Sequence, residues 1–135
     1  MAPHDLNGKN PNVHLRPIAI GNSYHCPYHH TACPDREVFK VAIENLYNVG
    51  VLMVVSAGNK GTCGSIEEPP THYEKSFVVG ATHYKSMEIA PFSSKGPVLS
   101  DGSNRRKPDI VAPGINIRSC FPPDYYSLMS GTCLK

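Results

Sequence analysis

Residues 35–61 read DREVFKVAIENLYNVGVLMVVSAGNKG, and this stretch decides the fold class. Val38, Ala42, Leu46 and Val49 recur at helical spacing, and Gly50 stands where a left-handed residue closes a helix. The spacing predicts a helix over 35–49. Val51 to Val55 follow as an unbroken apolar run rich in β-branched residues, which suits a strand. Before the helix, Pro17-Ile18-Ala19-Ile20 is a shorter apolar run suited to a strand buried on both faces, and the turn-rich loop Gly21–Pro34 comes after it. Strand, helix and strand in succession predict a crossover within a parallel sheet, hence an α/β fold.

Outward from this unit, Gly and Pro punctuation separates further candidate strands at Phe77–Ala81, Asp109–Val111, Ile115–Ser119 and Tyr125–Met129. Residues 1–16 lack periodicity and read as an irregular lead-in, which leaves 17–135 as the ordered domain. A chain of 135 residues accommodates one domain that buries roughly two thirds of its unfolded surface. Thirteen basic and eleven acidic side chains give a formal charge of +2, and the basic ones are scattered, which argues against nucleic acid as a partner. Val51–Val55, the longest apolar run, is far short of the roughly 20 residues of a membrane span, so a soluble chain is expected. Met1–Asn12 carry no secretory pattern, so an export signal is expected only upstream and localisation stays open.

Cys26, Cys33, Cys63, Cys120 and Cys133 are odd in number, so at least one is free within a single chain. The short spacing of Cys26 and Cys33 permits a disulfide without requiring one.

The chemistry-bearing residues begin where the 51–55 strand runs into Ser56-Ala57-Gly58-Asn59-Lys60-Gly61. Ligands of open parallel sheets gather beyond the carboxyl ends of strands. An amide fixed there by flanking glycines can offer its NH2 to a developing oxyanion. A turn Asn that merely tolerates left-handed backbone reads the same way. Further along come Val79-Gly80-Ala81, Phe92-Ser93-Ser94-Lys95-Gly96-Pro97, Lys107-Pro108-Asp109-Ile110-Val111-Ala112-Pro113-Gly114 and Tyr126-Ser127-Leu128-Met129-Ser130-Gly131-Thr132-Cys133. In this order, after Ala57-Gly58-Asn59, these segments resemble the subtilisin-like serine peptidases, the subtilases, from about Ile18 to Cys133.

The resemblance implies a partial subtilisin-like three-layer α/β fold with a mainly parallel sheet, and peptide-bond hydrolysis through an acyl-enzyme in the complete family. Asn59 falls at the oxyanion asparagine, and Cys133 where the family has its nucleophilic serine, at the start of a buried helix. Ser23, Tyr24 and His25 fall at the strand end that pairs with an extended peptide, and Ser56, Ala57 and Gly58 at the facing wall of the specificity pocket. The Pro69-Pro70 bond is a candidate for cis, while Asp109 and Ala112-Pro113-Gly114 read as structural supports below the nucleophile loop. The implied partners are an extended peptide or protein substrate and the remainder of a catalytic domain. No cofactor or metal is implied for the site itself. Calcium occurs in the family, but its carbonyl ligands leave no signature that would place it here.

The pattern departs from the family at two of the triad positions. No Asp-Thr-Gly or Asp-Ser-Gly turn occurs, and none of His14, His25, His29, His30, His72 and His83 precedes a glycine, so the His-Gly-Thr motif is missing. The family places both residues upstream of this chain's first strand. Without the imidazole there is no base to activate a nucleophile, so the chain alone is expected to be inactive. Cys133 sharpens this, because a thiol fits a site shaped around a hydroxyl poorly, although a thiol at a helix start is also a candidate nucleophile. The family continues beyond the equivalent of Lys135 into a long central helix. An incomplete domain is therefore expected, marginal in isolation and prone to associate with a complementary piece.

Two other readings compete. A pseudoenzyme would hold an extended peptide along Ser23–His25 without cutting it. A zinc module would use the thiols and imidazoles of His25-Cys26-Pro27-Tyr28-His29-His30-Thr31-Ala32-Cys33, although this spacing matches no regular finger.

Overall fold

The computed structural model describes residues 2–27, 31, 33 and 35–134. A parallel sheet of order β1-β2-β3-β4 is built from β1 (Ala19–Asn22), β2 (Leu52–Ser56), β3 (Ser76–Thr82) and β4 (Ile110–Pro113). One helix, α1 (Lys40–Asn48), joins β1 to β2. An antiparallel hairpin of β5 (Ile117–Phe121) and β6 (Tyr125–Met129) follows β4. The chain therefore has the α/β architecture with a mainly parallel sheet that the apolar runs anticipate.

β2 and β3 are the inner strands, and their composition explains it. Every residue of β3 except Phe77 is buried, and Val55 and Val78 are fully so. Ile43 and Leu46 of α1 pack with Val51, Met53, Val55 and Ala57, and Ile66, Tyr73, Val78 and Val98 complete this core. Burying each such side chain stabilises the fold by roughly 1.5–3 kcal/mol before entropy is counted.

Three expectations are corrected. First, β1 is not buried on both faces: Ile18 is 86% exposed and β1 alternates between exposed and half-buried. Among the described residues it is an edge strand, paired with β2. Second, the helix begins at Lys40, because the Asp35 carboxylate accepts from the Glu37 amide and holds 36–39 as turns. Tyr73 fixes this entry, its hydroxyl accepting from Phe39 N and donating to Arg36 O. Third, the packed stripe of α1 is Phe39, Ile43 and Leu46, whereas Val38, Ala42 and Val49 are exposed. The lead-in is also more ordered than its composition suggests, since Asn12 caps a 3-10 turn at Val13–Leu15.

Supports below the sheet's carboxyl end come from glycine and from one buried cation. A Cβ on Gly114 would lie 2.7 Å from Ala81 Cβ and 2.9 Å from Gly131 O, so a bare backbone lets the 130–133 loop settle on β3. Gly131 N donates to Gly114 O at 2.8 Å. Asp109 Oδ2 accepts from Val78 N at 2.7 Å and from the buried Lys107 Nζ at 2.6 Å, and that ammonium also donates to Ser76 O. The Pro69-Pro70 bond is cis, as expected.

Candidate active site

The carboxyl end of β2 turns sharply at Gly58, whose φ of +98° favours glycine. Ser94 clamps the turn, with its amide donating to Gly58 O and its hydroxyl accepting from Lys60 N at 3.1 Å. Asn59 is thereby held beyond the carboxyl end of β2. Its Oδ1 accepts from Thr132 N and from Thr132 Oγ1, both at 3.0 Å. The same threonine hydroxyl accepts from Gly58 N at 3.2 Å, so one fully buried side chain locks both ends of the turn. With Oδ1 engaged, the amide's donor end, Nδ2, has no acceptor among the described residues and is free to serve a guest.

Cys133 follows directly. Its Sγ lies 3.6 Å from Ser23 O and 3.8 Å from Ser56 Oγ, while Ser23 Oγ donates to Cys133 O at 3.2 Å. The ends of β1 and β2 and the 131–133 loop thus meet at one place. Cys133 sits within a three-residue 3-10 turn, Thr132–Leu134, and is exposed. No imidazole among the described residues bonds its sulfur.

Asn59 and Cys133, Ser23 to His25, and Ser56 to Gly58 all line one cleft of about 460 Å³. Tyr24 meets Phe39 edge-on at 6.0 Å, and Cys26 N donates to Pro69 O at 2.8 Å, so the 23–26 wall is anchored at both ends. Sequence reading missed Lys60, Ser65, Glu68, Thr71 and Ser94, which complete the lining. Lys60 Nζ donates to Glu67 Oε1 at 2.7 Å and to Glu68 Oε1 at 3.0 Å. The hydrogen bond to Glu67, with Glu68 adding to it, holds the Lys60 ammonium above its usual range. Glu68 Oε2 lies 3.6 Å from His25 Nε2. The sequence signal for this wall is the Glu67-Glu68 pair just ahead of Pro69-Pro70, but nothing local announces that it folds back over the Asn59 turn.

Comparison with known proteins identifies the family. The sequence profile described as the Subtilase family matches residues 18–134. The chain belongs to the subtilase family. It is 35% identical over 91 residues to Serine protease AprX of Bacillus subtilis (strain 168), a match covering 63% of this chain and 20% of that protein. Subtilisin Savinase of Lederbergia lenta is 37% identical over 93 residues, 69% of this chain and 30% of its own length. Among solved structures, S41 Psychrophilic Protease superposes with a TM-score of 0.65 at 26% identity, covering 86% of this chain and 38% of that one. The chain therefore spans about a fifth to a third of the length of the curated relatives it matches. The subtilase resemblance and the α/β fold read from the sequence both hold.

Cys26 and Cys33 form a disulfide with their Cα atoms 5.7 Å apart. It takes up both sulfurs that the zinc reading needs as thiolates, while His29 and His30 of that motif lie outside the described residues.

Proposed function

We propose that this chain is the oxyanion and substrate-pocket portion of a subtilisin-like endopeptidase, and that these 135 residues alone hold an extended peptide without hydrolysing it. The observation that carries the reading is the meeting of Asn59 and Cys133 on one cleft, with the Asn59 amide oriented by Thr132. A substrate would lie along Ser23–His25 by strand addition, its main chain supplying affinity and its side chain entering the cleft. Its scissile carbonyl would come between the Cys133 sulfur and Asn59 Nδ2, where an oxyanion would be met by a preorganised donor worth about 3 kcal/mol in the transition state.

The proton-transfer part of the chemistry is what these residues do not provide. Cys133 Sγ contacts a carbonyl and a hydroxyl rather than an imidazole, so none of the described residues is placed to take its proton or to protonate a leaving amine. In a complete subtilase that work belongs to a His oriented by an Asp, and both would have to come from outside this sequence.

Quenched fluorogenic peptides test the proposal. Neither the chain nor Cys133→Ser should release product above the buffer rate, and a serine-directed phosphonate should label neither. Turnover by Cys133→Ser would mean that a base is present and would overturn the reading. The thiol at position 133 also favours a second reading, a non-catalytic peptide holder. A serine at that codon in the source gene, or turnover when Asp- and His-bearing residues are joined to the chain with Cys133 retained, would reject it.

A further inference from the structure

The cleft has a chemical character of its own. Glu68 lines it with a side chain only 16% exposed, pointing one carboxylate oxygen at Lys60 and the other toward His25. Lys60 is 44% exposed and has a second carboxylate, Glu67, at 2.7 Å. It can therefore leave Glu68 and stay paired. Two carboxylates against one ammonium leave this wall with an excess negative charge when His25 is neutral.

The hydroxyls on the same lining reinforce that preference. Ser65 Oγ donates its proton to Thr62 O and accepts from Lys95 N at 3.3 Å, which leaves it one lone pair, while Thr71 Oγ1 donates its proton to Glu68 O at 2.6 Å. A hydroxyl has one proton to give, so toward the cleft both are acceptors. The Glu68 carboxylate, with the acceptor capacity left on these hydroxyls, suits a guest rich in N–H donors. A purely apolar guest would cover these acceptors without satisfying them.

We propose that Glu68 is a specificity-determining residue that selects a basic side chain, arginine or lysine, in the cleft beside Asn59. The inference rests on the proposed peptide-binding role and deepens it. An entering guanidinium takes the Glu68 carboxylate while Lys60 swings onto Glu67. Lys60 is thus an internal stand-in for the guest, and removing it should open the site further.

The test is binding, measured calorimetrically on the full chain with blocked alanine tetrapeptide amides that end in Arg, Leu or Glu. The Arg peptide should bind about tenfold more tightly than the Leu peptide, as expected of a charge-assisted bond at a mostly buried carboxylate, with the Glu peptide weakest. Glu68→Gln, which keeps an acceptor for Lys60, should erase the preference for the Arg peptide over the Leu peptide. Lys60→Gln should strengthen Arg binding, and this second variant keeps the test decisive if the first is poorly folded by circular dichroism. Equal or tighter binding of Leu, or an Arg preference untouched by Glu68→Gln, would overturn the specificity. Binding of none of the three would instead overturn the peptide-holding role itself, and the specificity with it.

Discussion

Asn59 and Thr132 are joined by two hydrogen bonds that converge on one atom, the Asn59 carboxamide oxygen, each 3.0 Å long. The pairing decides which end of the amide faces the cleft: with the oxygen turned toward the 130–133 loop, the nitrogen is presented outward. Thr132 is fully buried with Asn59 in place.

Asn59→Ala should therefore destabilise the chain by about 1–3 kcal/mol, the cost of leaving a buried amide without an acceptor. Asn59→Asp retains both acceptor contacts and should lose less than half as much. Urea unfolding midpoints of the two variants check this. Equal losses would mean that the Thr132 contacts contribute little.

A second site of stability is the Lys107–Asp109 pair. The Lys107 side chain is 5% exposed and that of Asp109 30%, so removing the carboxylate leaves a buried ammonium with Ser76 O as its remaining contact. Asp109→Ala should cost on the order of 2–3 kcal/mol, discounted from a fully buried pair for the carboxylate's exposure. Lys107→Met should cost less, because Asp109 keeps the Val78 amide. The comparison is again one of unfolding midpoints.

The pH dependence of stability should show two separate windows. Burial pushes the His72 imidazole below 6.5, so beneath that pH the unfolded chain binds a proton that the folded chain resists, and stability falls as pH drops. For Asp101, partial burial works to raise the carboxyl, but Ser103 and the Arg105 guanidinium outweigh it and hold it down to about 2. A depressed carboxylate stabilises above 3.8 and loses that contribution as pH falls toward about 2. Thermal melts across this range should show His72→Phe flattening the upper slope and Asp101→Asn the lower one. A slope unchanged by its own substitution would contradict the assignment.

The cysteines divide cleanly. Cys63, Cys120 and Cys133 are free and exposed, while Cys26 and Cys33 are joined. Iodoacetamide without reductant should add three groups by intact mass, and reduction of the unfolded chain should raise this to five. Five additions without reductant would show that the disulfide is absent in solution.

How far the sequence revealed this molecule depends on the range of the contact concerned. The 17–20, 35–49 and 51–55 segments announce strand, helix and strand because each signal is local. The packed face of α1 is harder to read, since Val38-Ala42-Leu46-Val49 and Phe39-Ile43-Leu46 are both apolar stripes at helical spacing, and tertiary contact with β2 chooses between them. The exposure of β1 follows from its edge position, which composition does not encode. At the site, Asn59 stands out by its flanking glycine and its place at a strand end. Its bond to Thr132 spans 73 residues and leaves no periodic trace. The Glu68 wall is hidden for the same reason, because an ion pair from Lys60 to Glu68 looks in sequence like two charges in a surface loop.

The central claim is that the Asn59 amide and the Cys133 thiol act on the same carbonyl group of a bound peptide, the thiol at its carbon and the amide at its oxygen. A peptide aldehyde enriched in 13C at its carbonyl carbon tests it most directly. Addition of the thiol forms a carbon–sulfur bond and passes the thiol proton to the oxygen, giving a tetrahedral hemithioacetal without any base or oxidant. NMR should detect that adduct on Cys133, with an affinity about tenfold weaker in Asn59→Ala and Asn59→Asp. An adduct indifferent to both substitutions, or one formed equally on Cys63 and Cys120, would contradict the account.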